Sequence, residues 1–149
     1  MTGRAREAVA PMQRRLRLRS RKDFRRVYRD GRSVANSRFV VYWRPRSEPG
    51  PFRLGVSASA RLGKAVVRNR ARRMVKEIVR LNADKLRDQV DLVIIVRKPA
   101  LELGFWDMEK SVLHLLRKAG LTRDAAHGPG SDKGADRRGN PAKGGGGNG

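Results

Sequence analysis

The chain contains no cysteine and only two histidines in 149 residues. Without thiols it can build no disulfide framework, no thiolate metal site and no cysteine nucleophile. His114 sits among Leu113, Leu115 and Leu116, where a structural role is expected, and His127 falls in a glycine-rich tail. Acids are scarce as well, 14 Asp and Glu against 36 Lys and Arg. Asp84 and Asp88 stand four residues apart, but Lys85 and Arg87 beside them mark a solvated helix end, not a metal cluster. A protein-only nuclease would need clustered carboxylates for a metal or an acid–base set, and neither is visible. Gly63-Lys64 lacks the surrounding pattern of a phosphate-binding P-loop. No stretch approaches the roughly 18 apolar residues of a membrane-spanning helix. The N-terminal arginines precede no apolar segment of a signal peptide, so the expected location is cytoplasmic.

What the chain does have is positive charge, a formal net of +22. Such a field repels itself in the folded state and attracts polyanions, which makes nucleic acid the leading partner class. A membrane surface fits less well, because no segment joins a basic face to a bulky aromatic-rich apolar one.

The charge is concentrated in the stretch from Arg61 to Arg80. At 100° per residue, Val67, Ala71, Met74, Val75, Ile78 and Leu81 fall on one side of a helix. Arg72, Arg73, Lys76 and Arg80 fall on the other, flanked by Arg68 and Arg70. Glu77 is the only acid in the stretch and is spaced to pair with Arg73 or Arg80. Cations crowd the first turns, where the helix dipole disfavours them, so an external anion is the natural partner. The preponderance of arginine suits bidentate contacts to phosphate or base edges.

Around this helix the patterning predicts an α+β fold with one domain in the order α-β-β-α-β-α. Residues 1–16 read as a flexible basic arm, residues 17–121 as the folded domain, and residues 122–149 as a disordered Gly-rich tail. Ser20 is placed to cap a first helix, with Asp23 three residues on, and Gly31 is expected to end it in a left-handed conformation. Residues 38–44 alternate as a strand, with Phe39, Val41 and Trp43 on one face and Val40 and Tyr42 on the other. The loop Pro45–Pro51 predicts a hairpin into a second strand over residues 52–58. After the basic helix, residues 90–96 form a nearly continuous apolar run, as in a strand covered on both sides or paired parallel to a neighbour. Residues 105–119 form a last amphipathic helix carrying Met108, Val112, Leu115, Leu116 and Ala119.

Two further features suit RNA. Phe24, Tyr28 and Tyr42 stand beside basic residues and could form a platform for unpaired bases, with core packing the competing role. Arg14, Arg15, Arg17 and Arg19 could track a phosphate backbone.

The run Ala65-Val66-Val67-Arg68-Asn69-Arg70-Ala71-Arg72-Arg73-Met74-Val75-Lys76-Glu77 resembles the signature of the bacterial ribonuclease P protein family. Asp23 to Tyr28, Gly31 to Ala35, Arg38 to Tyr42, Leu54 to Ser57 and Ile94 to Pro99 are similar to that family too. The resemblance implies a subunit that joins a catalytic RNA and promotes removal of the 5′ leader from precursor tRNA. Mg²⁺ would be held mainly by the RNA and the substrate, no protein side chain would be catalytic, and no obligate protein partner is implied. Contacts to the RNA subunit would come from Arg61, Lys64, Arg68, Asn69, Arg70, Arg72, Arg73 and Lys76. The leader would meet Arg17, Phe24, Tyr28 and Tyr42. The family's mostly antiparallel sheet includes one parallel β-α-β crossover of left-handed sense. Basic charge by itself leaves another reading open, a non-catalytic RNA-binding protein of the ribosome or another RNA complex.

Overall fold

The computed structural model describes residues 14–123, and its organising element is a four-stranded sheet. In chain order the elements are α1 (Arg21–Asp30), β1 (Arg32–Ala35), β2 (Phe39–Pro45), β3 (Arg53–Ser57), α2 (Ala65–Leu81), β4 (Val90–Val96) and α3 (Phe105–Lys118). The strands lie side by side as β1-β2-β4-β3. β2 runs antiparallel to β1 and β4, whereas β3 is parallel to β4, so α2 is the crossover between parallel neighbours. The fold is therefore the α+β class that the patterning implied, with the mixed sheet that the family resemblance implied, enlarged by one strand.

That extra strand, β1, is four residues long and only partly buried, so it carries too little alternation to be seen in sequence. A side-chain turn brings it against β2: Asn36 Oδ1 accepts from the N–H groups of Arg38 and Phe39, each at 2.8 Å. The predicted hairpin between the second and third strands does not form, because β4 lies between them. Its run Val90–Val96 is buried at nearly every position and needs a strand on both sides. The loop after β2 instead wraps over the entrance to β4. Arg46 N–H donates to Gln89 O at 2.8 Å, and Gln89 N–H to Gly50 O at 3.0 Å.

The two faces of the sheet have different covers. On one, Phe39, Val41, Leu54, Leu92, Ile94 and Val96 pack with Val75 and Ile78 of α2 and with Met108, Val112, Leu115 and Leu116 of α3. Full burial of each large aliphatic or aromatic side chain here contributes about 1.5–3 kcal/mol. On the other face, α1 lays Val27 against Val93, with Leu18, Phe24, Tyr42 and Ile95 around them. Trp43 and Phe39 pack on the face that α2 and α3 cover.

Local details correct three expectations. The Ser20 cap is present, accepting from Asp23 N–H at 3.0 Å. Gly31, however, is extended at φ −93° and not left-handed. A glycine is needed there because a Cβ would come within 2.4 Å of Trp43 O and 2.5 Å of Val27 O. On α2, Val79 is buried while Val67 and Leu81 are exposed. After Leu81 the buried Asn82 ties α2 to α3, its Nδ2 donating to Ile78 O and Glu109 Oε2 at 2.7 and 3.0 Å. His114 is exposed on α3 rather than part of the core.

The end of the basic arm is drawn into this structure. Arg14–Leu16 forms a 3-10 turn, Leu16 and Leu18 are buried, and Leu18 N–H donates to Leu54 O at 2.8 Å along the free edge of β3. The rest of the predicted arm, and the tail beyond Arg123 with His127, lie outside the described residues.

Candidate nucleic-acid interface

Eleven of the twelve RNA-contacting residues that the family resemblance implies sort into two neighbourhoods, and Arg17 stands between them. The first neighbourhood is the outer side of α2 with the turn before it. Arg61, Lys64, Asn69, Arg70 and Arg73 are exposed, while Arg68, Arg72 and Lys76 are half-buried. Several of these arginines are less free than their lack of acidic neighbours suggested. Arg68 Nε donates to Gly63 O at 3.1 Å, and Arg72 donates to Asn69 Oδ1 at 2.5 Å and Ala58 O at 3.4 Å. Glu77 takes Arg80 and not Arg73, through two hydrogen bonds of 2.9 and 2.8 Å. That pairing holds the Arg80 guanidinium above its ordinary pKa, mainly through the hydrogen bond. Lys64 is the N-terminal cap residue of α2 and makes no side-chain cap bond.

The second neighbourhood is the aromatic cleft between α1 and the sheet. Phe24 and Tyr28, one turn apart, meet edge-to-face at 6.4 Å, and Tyr28 meets Tyr42 of β2 at 5.0 Å and 81°. The three rings form one continuous surface, seated on Leu18, Val93 and Ile95. Partial burial pushes the Tyr28 phenol above its ordinary pKa, against a Ser57 hydrogen bond that lowers it. Alongside Phe24 and Tyr28 opens a shallow cavity of about 390 Å³ whose other walls are Arg19, Arg21 and Arg25. Aromatic faces bordered by guanidinium groups fit unpaired bases and the phosphates joining them.

Sequence reasoning missed several supports of this cleft. Arg21 and Arg25 are spaced i, i+4 on the helix carrying Phe24, a signal that was available. Gly55 was not readable as a site residue; a Cβ there would run into Phe24 Cζ, so its absence makes room on β3 for the tip of the ring. Arg17 pairs with the edge of β3 at Leu54, and its charge reaches Lys76. Burial of the Lys76 ammonium, with repulsion from Arg17 and Arg72, lowers its pKa. Arg17 is thus close to the α2 cations, and Leu18 beside it packs under the rings.

Among the described residues no three His, Asp or Glu side chains converge to hold a metal ion. Among the same residues no helix is long and apolar enough to cross a membrane. Among the described residues the two neighbourhoods offer cations and rings.

A protein-family model described as Ribonuclease P matches residues 12–120. The ribonuclease P protein component of Geobacillus sp. (strain WCH70) is 44% identical over 114 residues, 76% of this chain and 98% of that protein. This chain belongs to the bacterial ribonuclease P protein family. It is a subunit of an endoribonuclease, and its setting is tRNA processing within a ribonucleoprotein. The ribonuclease P protein component of Bacillus pumilus (strain SAFR-032) is 38% identical, covering 74% of this chain and 92% of its own. Among solved structures, the Staphylococcus aureus RNase P protein has a TM-score of 0.67 at 36% identity, over 71% of this chain and 96% of that one. The Thermotoga maritima RNase P protein has a TM-score of 0.63 at 36% identity, over 67% and 94%. Membership of the ribonuclease P family decides against the competing reading of a ribosomal module, which charge had left open.

Proposed function

We propose that the protein grips two RNAs at once, the catalytic RNA of ribonuclease P through α2 and the 5′ leader of precursor tRNA through the aromatic cleft. The observation that carries this reading is the ring series Phe24–Tyr28–Tyr42 bordered by arginines, on the sheet face opposite the one that α2 covers. Rings with cations suit a single strand, whereas the ring-free arginine face of α2 suits the backbone of a structured RNA. Arg61, Lys64, Arg68, Asn69, Arg70, Arg72, Arg73 and Lys76 supply the second contact. Arg17, at the edge of β3, serves the strand leaving the cleft.

Cleavage itself is assigned to the RNA, in the cytoplasm. The described side chains offer no ligand cluster for Mg²⁺, so the protein's part is binding and orientation. Fixed cations that replace mobile counterions should tighten the precursor and lower the Mg²⁺ demand.

Reconstitution tests the whole. The protein, a ribonuclease P RNA and a 5′-extended precursor tRNA are mixed at low Mg²⁺, and correct 5′ cleavage is followed. Stimulation is expected, with none when the RNA is omitted; cleavage by the protein alone would refute the division of labour. Neutralising Arg68, Arg70 and Arg72 together should weaken RNA-subunit binding and flatten its salt slope by about 2, near 0.7–0.9 per lost phosphate contact. An unchanged slope would remove α2 from the interface.

A further inference from the structure

The outward side of α3 has no role in the reading above, yet it carries the most exposed aromatic side chain among the described residues. Trp106 is 69% exposed, braced edge-on by Phe105 at 5.0 Å. The buried side of α3 is set by Met108, Val112, Leu115 and Leu116. By helical spacing, Lys110, His114 and Arg117 then share the outward side with Trp106. Beside this stripe lies an open groove of about 480 Å³, between α3 and the β1–β2 turn, lined by Arg38, Lys110, Ser111, His114 and Asp107 among others. Ser111 Oγ accepts from Asn36 Nδ2 at 3.0 Å, which leaves the hydroxyl proton to donate.

We infer that the outward side of α3 is a further RNA-docking surface, on which Trp106 stacks an unpaired base while Arg38, Lys110 and His114 hold the adjoining phosphates. This rests on the assignment of RNA as the partner and extends it to a face not so far given a role. A single exposed ring flanked by cations is not the contiguous apolar patch that a protein partner or a lipid surface would need. Cations interleaved with an aromatic are instead the pattern that binds single-stranded nucleic acid. Asp107, next to Trp106, is the only acid among the residues lining the groove. An acid beside a stacked base matches the base's amino edge and not its phosphate. The occupant is a segment of the catalytic RNA and not the leader. Val93, Tyr42 and Ile95 line the cleft face under α1, while α3 packs on the opposite face of the sheet, so a strand in the cleft is turned away from this groove.

Fluorescence and affinity test it together. The chain has two tryptophans, so W43F leaves Trp106 as the only indole. Ribonuclease P RNA should quench its emission, and a leader oligonucleotide should not. In the otherwise unaltered chain, W106A should weaken binding of the RNA subunit about tenfold and spare the leader oligonucleotide. R38Q/K110Q should lower the salt slope by about 1.5. Unquenched emission, with unaltered affinity of W106A for the RNA subunit, overturns the inference. The triple α2 variant separates this from the parent reading. If it alone loses RNA, the α3 surface is refuted and α2 stands; if it binds as tightly as the unaltered chain while W106A does not, α2 is refuted and α3 stands.

Discussion

Replacing Lys76 with glutamine should make the isolated protein more stable and its grip on RNA weaker. Lys76 lies one turn beyond Arg72 on α2, within electrostatic reach of Arg17. Burial of its ammonium comes first among the causes that lower its pKa, and repulsion from the two arginines adds to it. In the window between the lowered folded value and the ordinary 10.5, the unfolded chain binds more protons than the folded one. Stability from this residue therefore climbs as pH rises through the window, and below it the penalty is complete. A like-charged pair at i, i+4 costs about 0.2–0.5 kcal/mol, and burial of the ammonium adds to that. The expected gain for K76Q is about 0.5 kcal/mol at low salt, or about 2–4 °C in Tm. Glutamine nearly matches lysine in helix propensity, so little of the change would come from the backbone. Thermal melts followed by circular dichroism provide the measurement. The repulsive part should shrink in about 0.5 M salt, leaving the burial part. The gain should also be smaller in an R72Q background, because one source of repulsion is already gone. Affinity for the RNA subunit should fall, with a salt slope lower by about 0.7–0.9. An unchanged or lower Tm at low salt would refute the reasoning, because Lys76 would then not be under electrostatic stress.

Three other variants probe the cleft and the scaffold. G55A puts a methyl group where the Phe24 ring lies, and Phe24→Ala with Tyr42→Ala removes two of the three rings. Both should weaken leader-bearing precursor, by about fivefold or more for the double variant, and leave mature tRNA nearly unchanged; equal losses on both RNAs would expose a folding defect. Asp91 is buried, bound by Arg53 through two 2.9 Å hydrogen bonds, with Arg46 Nε at 3.4 Å. D91N should cost about 2–3 kcal/mol in denaturant unfolding, below the range for a fully buried pair because Arg53 is partly exposed. A loss under about 0.5 kcal/mol would mean the cluster is a solvated ornament.

The helices and β4 were legible because periodicity and unbroken apolarity are local properties. The place of β4 was not. Turn chemistry at Pro45–Pro51 says where the chain bends, but not which strand lies beside which, and the apolar demand of β4 overrode the hairpin. The cleft shows the same limit. Phe24 and Tyr28 are one helical turn apart and can be paired on paper, but Tyr42 reaches them only through packing across the sheet. Gly55 and Ser57 carry no sequence signal, since their roles are to be absent from under a ring and to hydrogen-bond one. The outward side of α3, by contrast, is written in the sequence. The spacing that buries Met108, Val112, Leu115 and Leu116 places Trp106 and Lys110 outward by the same arithmetic.

The sparseness of acids shows in how the arginines are held. Among the described residues several guanidinium groups are held by carbonyl oxygens: Arg68 by Gly63 O, Arg72 by Ala58 O, Arg87 by Gly120 O and Arg97 by Asn36 O. A carbonyl orients the planar fork without neutralising it, so the full charge stays available to phosphate while part of the side-chain entropy is already lost. An acid in the same place would fix the arginine equally well and cancel its field. Lysine offers charge without the fork. R68K with R72K should therefore leave the salt slope of RNA-subunit binding unchanged, since as many phosphates are neutralised. Affinity should still fall, by about tenfold for two side chains that must each be ordered on binding. Filter binding across a salt series separates the two effects. A slope that fell with the affinity would mean that contacts were lost, and that the carbonyl anchoring of these arginines contributes nothing to how the protein holds RNA.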